Sequence, residues 1–167
     1  SSAVHQGVDF IEAKRGKVVL VVGAEKMTDL KGPAVGETLL TASYLKEEAG
    51  IEGGFAGVFG QIAQTYFQRH GDQSDALAKI AAKNHKNGVS NPYAQIRKDL
   101  GFEFCRDVSD KNPLVAGPLR RTDCSLVSDG AAALELTDVE TALGKPKAVA
   151  FRSRGHVNDF LPMSKRD

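Results

Sequence analysis

The chain is poor in several features that would assign a function outright. It has no excess of charge of either sign, with 22 Lys plus Arg against 21 Asp plus Glu, so it lacks the basic field that drives non-specific nucleic-acid binding. No apolar run approaches the roughly 20 residues that span a bilayer, and the N-terminus lacks the charged-then-apolar layout of a signal peptide. These absences give the expectation of a soluble, cytoplasmic protein with neither nucleic-acid nor membrane partners. There are only two cysteines, Cys105 and Cys124, without CxxC spacing or nearby histidine ligands. That argues against a zinc site or a disulfide framework and favours structural thiols. The four histidines, His5, His70, His85 and His156, have no metal-ligand spacing, and there is no internal repeat or low-complexity segment.

What is present is a layered pattern. A chain of 167 residues is long enough for one real core, since chains of this size bury roughly 70% of the surface they expose when unfolded. Val4, Val8 and Ile11 recur at i, i+4 and i+7, which predicts a helix over Ala3–Arg15 with Ser1 or Ser2 as cap and Gly16 as stop. Lys17–Val22 follows as an apolar, largely β-branched run, which reads as a strand covered on both faces. From Asp29 to about Asp123 the character changes to short helices and loops rich in glycine. Helices are predicted over Gly36–Glu48, over Gln61–His70 closed by Gly71, and over Asp75–Lys86 capped by Ser74 and stopped at Gly88. Asn91-Pro92 opens a turn. Gly130–Leu136 returns to strand, a short helix covers Asp138–Leu143 before Gly144, and Ala148–Arg152 reads as a further strand. Helix followed by buried strand indicates an α/β layered fold.

Two segments carry more information than this pattern. Val21-Val-Gly-Ala-Glu-Lys-Met27 and Ser128-Asp-Gly-Ala-Ala-Ala-Leu134, in that order and separated by a helical excursion, resemble the paired core strands of the thiolase family. Asn84-His-Lys-Asn-Gly-Val-Ser-Asn-Pro92 and His156-Val-Asn-Asp-Phe160 are similar to the sterol-carrier-type thiolases and their bacterial relatives. The resemblance runs along essentially the whole chain. It implies part of a thiolase-like αβαβα fold. Residues 1–28 would form a helix and core strand of the N-terminal half, 29–127 the helical loop domain, 128–145 the returning strand and helix, and 146–167 the start of the C-terminal half.

The resemblance also implies an activity. Thiolases cleave 3-ketoacyl-CoA with free CoA or run the reverse condensation, through an acyl thioester on a cysteine at a helix N-terminus, where the dipole and free N–H groups favour thiolate. In this sequence the nucleophile is expected just before Ser1, and the catalytic histidine and second cysteine beyond Asp167. The chain alone is therefore expected to be inactive, as an internal segment of an enzyme that assembles as a homodimer or homotetramer. Coenzyme A and acyl-CoA are expected as substrates, with no tightly bound cofactor.

Binding residues can be carried over in part. Ser125 falls where biosynthetic-type thiolases place a serine on the pantetheine arm of CoA, a neutral chain with two amides that hydroxyl and backbone groups suit. Arg120 and Arg121 lie nearby and have the charge and geometry for CoA phosphates, the alternative being two solvated loop arginines. Gly54-Phe-Ala-Gly-Val-Phe-Gly60 lacks the strand and the Gly-Lys-Ser/Thr of a phosphate loop. It reads instead as close backbone packing, with Phe55 and Phe59 on a loop-domain wall that in thiolases borders the acyl pocket. Two other readings stay open: a non-catalytic acyl-CoA or lipid-binding module on the thiolase scaffold, and a subunit of a steroid side-chain retro-aldol lyase of the same superfamily.

Overall fold

The computed structural model describes residues 2–166 and is mixed α/β, with seven helices and two small antiparallel sheets among those residues. The chain divides into two compact units, Ser1–Asp29 with Ser128–Phe160, and Leu30–Val127 with Leu161–Asp167. No described helix is long and apolar enough to cross a membrane.

The first unit is built on β1 (Val18–Glu25) and β4 (Gly130–Thr137), with α1 (Ser2–Glu12) before them and α7 (Val139–Leu143) after. The strands pair antiparallel along their full lengths, from Val18 opposite Thr137 to Glu25 opposite Gly130. The side-by-side placement expected for the two apolar ribbons is therefore observed. α1 lies over one face, where Gly7 is buried and a Cβ on it would meet Leu136 at 2.8 Å, Val21 at 3.1 Å and Val19 at 3.3 Å. The absent side chain brings helix and sheet into contact.

Three expectations for this unit need correction. β1 is covered on one face only within this chain, and Val18, Leu20 and Val22 on the other face are exposed. α1 stops at Glu12 instead of reaching Arg15, because Lys14 takes the left-handed conformation at φ 57°. The Lys14 N–H then donates to the Ile11 carbonyl at 2.9 Å and the Arg15 N–H to the Phe10 carbonyl at 3.1 Å, a Schellman closure that needs no glycine at its turning residue. Ala148–Arg152 forms no strand. Val149 and Phe151 are exposed, and an apolar run with no strand beside it has no ladder to join. The following residues run along α1: Arg154 pairs with Asp9 at 2.6 Å and Glu12 at 2.7 Å, and His156 stacks on His5 with ring centroids 5.4 Å apart.

The second unit holds α2 (Gly32–Leu40), α3 (Leu45–Glu48), α4 (Gly54–His70), α5 (Ser74–Gly88) and α6 (Gly101–Arg106), with a short hairpin of β2 (Leu114–Ala116) and β3 (Leu119–Arg120). The helix expected over Gly36–Glu48 is thus two helices. The Thr41, Ala42 and Ser43 N–H groups each donate to a carbonyl three residues back, which tightens and ends α2. The helix expected over Gln61–His70 begins earlier, so Gly54–Gly60, read as a site of close backbone packing, is the first half of α4. Its glycines serve packing: a Cβ on Gly57 would lie 2.0 Å from the Glu52 carbonyl oxygen, and one on Gly60 would lie 2.8 Å from the Ala116 carbonyl carbon. α5 begins at Ser74, whose N–H is held by the Asp72 carboxylate at 2.8 Å, so Ser74 lies inside the helix and does not cap it. Asn91 does open a turn, its side-chain oxygen accepting from the Tyr93 N–H at 3.0 Å. The buried carboxylate of Glu48 accepts from the N–H groups of Tyr44 and Met163 at 3.0 and 2.9 Å, which ties residues after Leu161 to α3.

One carboxylate closes the first unit. Asp129 accepts the Met27 N–H at 2.7 Å, the Thr28 N–H at 3.0 Å, the Thr28 hydroxyl at 2.6 Å and the Lys26 ammonium at 2.9 Å. The Thr28 hydroxyl, Lys26 and the two amides together hold its carboxyl well below the usual carboxylate range. A carboxyl whose folded pKa is depressed adds stability above the unfolded pKa of about 4, and that stability is lost as pH falls toward the folded value. Asp129→Asn is therefore expected to melt at lower temperature than the parent at neutral pH, with the gap narrowing below about pH 4. Thermal melts from neutral to acid pH would show this, and a gap independent of pH would remove the carboxylate charge from the account.

Candidate functional site

Of the residues nominated for CoA or substrate contact, Arg121 and Ser125 lie on the segment that follows the β2–β3 hairpin, Arg120 ends β3, and Phe55 and Phe59 lie on α4. The hairpin is set by α4: a Cβ on Gly117, at φ 51°, would meet the Gly60 carbonyl oxygen at 2.8 Å, so the two glycines pack backbone to backbone. A 3-10 turn, Arg121–Asp123, comes next. The Arg121 N–H donates to the Pro113 carbonyl at 2.9 Å, and the Arg120 N–H to the Asp123 carboxylate at 2.8 Å.

Asn112, which sequence reasoning passed over, organises this turn. It is fully buried, and its side-chain NH₂ donates to the carbonyls of Phe104 at 2.9 Å, Asp107 at 3.2 Å and Cys105 at 3.4 Å, closing the C-terminal end of α6. Its side-chain oxygen accepts the Thr122 N–H at 3.0 Å. One amide thus satisfies both a helix end and the turn that leads to Ser125. A lone Asn in a polar stretch carries no pattern in sequence, and only its burial reveals the role.

The structure separates the nominated residues. Ser125 and Arg121 are exposed. Arg120 is only 4% exposed and faces Asp123, its Nη1 lying 3.9 Å from an Asp123 carboxylate oxygen. Arg120 Nε and Nη1 and Asp123 Oδ1 have no hydrogen-bond partner. Of the two arginines, Arg121 is therefore the one presented to solvent. Phe55 and Phe59 sit far from this segment in sequence, on α4, with their rings edge to face at 5.1 Å and Phe59 half exposed. Burial raises the pKa of both thiols: Cys105 lies in a small core with Ala78 and Ala81, opposed there only by a hydrogen bond from Thr122, and Cys124 is half-buried beside Asp123, which adds to the rise. Neither is prepared as a thiolate.

Residues 1–140 match the model of the thiolase N-terminal domain. The chain belongs to the thiolase family. Its relatives include the acetyl-CoA acetyltransferase of Methanocaldococcus jannaschii, 31% identical over 100% of this chain and 42% of that protein. The acetyl-CoA acetyltransferase of Methanothermobacter thermautotrophicus is 31% identical over 84% of this chain and 35% of its own length. Sterol carrier protein 2 of Bos taurus is 29% identical over 96% of this chain and 31% of its own length. The chain thus spans less than half the length of each of these relatives. Sterol carrier proteins, the kind of relative that the motifs resemble, are among them.

In this thiolase chain the turn before Ser125 depends on the Asn112 side chain both donating and accepting. Asn112→Asp removes the donor and sets a carboxylate against the carbonyls that close α6. A loss of about 2–3 kcal/mol is expected, measured by denaturant unfolding. A loss no larger than that of an exposed Asn→Asp change in the same chain would show that the amide does not hold this junction.

Proposed function

We propose that this chain forms part of a thiolase-type acyl-CoA acyltransferase, which exchanges acyl groups between CoA thioesters through a cysteine thioester, and that its own contribution is to CoA binding. The relatives named acetyl-CoA acetyltransferase support the reaction class. The observation that carries the binding role is the exposure of Ser125 and Arg121 on a segment anchored upstream by the buried Asn112 and the covered carboxylate of Asp123. A neutral hydroxyl suits the pantetheine amides, and an accessible guanidinium suits a phosphate. Cys105 and Cys124 take no part as nucleophiles, since burial favours the thiol at both. A homodimeric or homotetrameric assembly and a cytoplasmic setting belong to the same proposal.

A second reading has its own support. Relatives named sterol carrier protein 2 and non-specific lipid-transfer protein-like 2, the latter from Caenorhabditis elegans, favour a lipid-handling protein built on the thiolase scaffold. The two readings part on turnover.

In the complete gene product that carries this segment, thiolysis of a 3-ketoacyl-CoA is expected, and Ser125→Ala should raise the KM for CoA by about three- to tenfold, the worth of one neutral hydrogen bond, with kcat little changed. Arg121→Ala should weaken CoA more than dephospho-CoA or a pantetheine thioester. CoA binding without thiolysis would move the assignment to the lipid-handling reading. Variants with unchanged KM would remove Ser125 and Arg121 from the site.

A further inference from the structure

Arg120 leads into the 3-10 turn and Asp123 ends it, and their side chains are 5% and 3% exposed. Burial at this depth takes both groups away from bulk solvent, so each needs its hydrogen bonds inside. One oxygen of Asp123 is used, since Oδ2 accepts the Arg120 N–H at 2.8 Å. The same oxygen lies 3.9 Å from Arg120 Nη1, an attraction across a gap and not a hydrogen bond. Three atoms of the pair are left without a partner, Nε and Nη1 of the guanidinium and Oδ1 of the carboxylate. A polar contact between buried groups that is wider than about 3.5 Å is where a bridging molecule belongs.

The unpartnered atoms specify the bridge. Two belong to donors that cannot accept, and the third is an acceptor that cannot donate. An anion would satisfy the guanidinium and stand against Asp123, and a cation would satisfy Oδ1 and stand against Arg120. The pair is already neutral, so charge calls for neither ion. A small neutral molecule that accepts on one side and donates on the other fits both, and water does this with about three bonds wherever it is buried. Asp72, a second carboxylate within the field of Arg120, is spent elsewhere: it is exposed, accepts the Ser74 N–H at 2.8 Å and lies 3.8 Å from Arg106.

We propose that a buried water bridges Arg120 and Asp123, accepting from the guanidinium and donating to Oδ1, on the inner side of the turn that carries Arg121. The side chains that flank Arg121 and Thr122 are then joined twice, once through the Arg120 N–H and once through the water. The proposal is independent of the acyl-CoA reading.

Diffraction from crystals of the complete gene product, at a resolution that locates ordered water, tests it. The parent protein is expected to show an ordered water within about 3.2 Å of both an Arg120 side-chain nitrogen and Asp123 Oδ1. Asp123→Asn should lose it. The amide oxygen keeps the Arg120 N–H, the NH₂ takes the place of Oδ1, and a donor there leaves the water's hydrogens without their acceptor. A direct hydrogen bond from Arg120 to Oδ1, a side chain from elsewhere in the gene product on either group, a chloride identified by its anomalous signal, or no density between the two would each overturn the proposal. So would a water that keeps its place in Asp123→Asn. If that variant does not fold, the parent structure decides alone.

Discussion

The fold of the first unit depends on the Asp129 carboxylate. The chain leaves this unit after Asp29 and returns at Ser128, so β1 and β4 must find their register across a long excursion. The residues near the far end of the ladder give little help: Gly23 and Ala24 face Ala132 and Ala131, and small side chains specify register weakly. Asp129 removes the ambiguity by gathering two backbone amides, a hydroxyl and an ammonium from residues 26–28 onto one group. At the other end the Asp138 N–H donates to the Lys17 carbonyl at 3.1 Å. The ladder is pinned where the chain departs and again where β1 begins, and only then can Val19, Val21 and Leu136 align beneath Gly7.

The second unit solves a different problem by a related route. It contains little sheet, and its buried apolar side chains are few: Val35, Leu40, Val58, Ala78, Ala81 and Cys105 among the described residues. Its order comes from close backbone approach at Gly57, Gly60 and Gly117 and from buried polar groups that accept or donate in several directions at once. Asn112 joins α6 to the Arg121–Asp123 turn, and Glu48 joins α3 to Met163. Such groups are directional where apolar contacts are not. They fix loops that a small core would leave loose, and removing one strands several partners together.

This division explains what the sequence could and could not convey. The paired strands, α1, α5 and α7 announce themselves because periodicity, β-branched content and caps are local signals; Asp138 accepts the Thr141 N–H at 2.8 Å just where a helix start is expected. The family signal is legible for a related reason, since Ser128–Leu134 combines the clamping Asp129 with the small residues of the ladder. Some of the misread features turn on partners remote in sequence. Gly54–Gly60 is rich in glycine, which disfavours helix, yet it is helical, and Gly60 packs backbone to backbone against Ala116 and Gly117. Ala148–Arg152 has the composition of a strand and lacks a partner. Arg120 and Arg121 are adjacent and chemically alike, yet Asp123 draws the first inward and leaves the second outside, a difference no local pattern encodes.

The same contrast bears on chemistry. Covalent acyl transfer needs a sulfur held as thiolate, which helix N-termini and nearby cations favour and burial opposes. Cys105 lies late in α6, a helix whose closing carbonyls point toward Asn112, and Cys124 follows an acidic residue. In both places the field works against the anion. What the segment does present is an exposed guanidinium at Arg121 and an exposed hydroxyl at Ser125, beside a turn whose inner side holds the Asn112 and Asp123 contacts. Rigid support beneath exposed donors favours binding over reaction, and in the acyltransferase proposed above this segment would act on where CoA lies, not on how its thioester is exchanged.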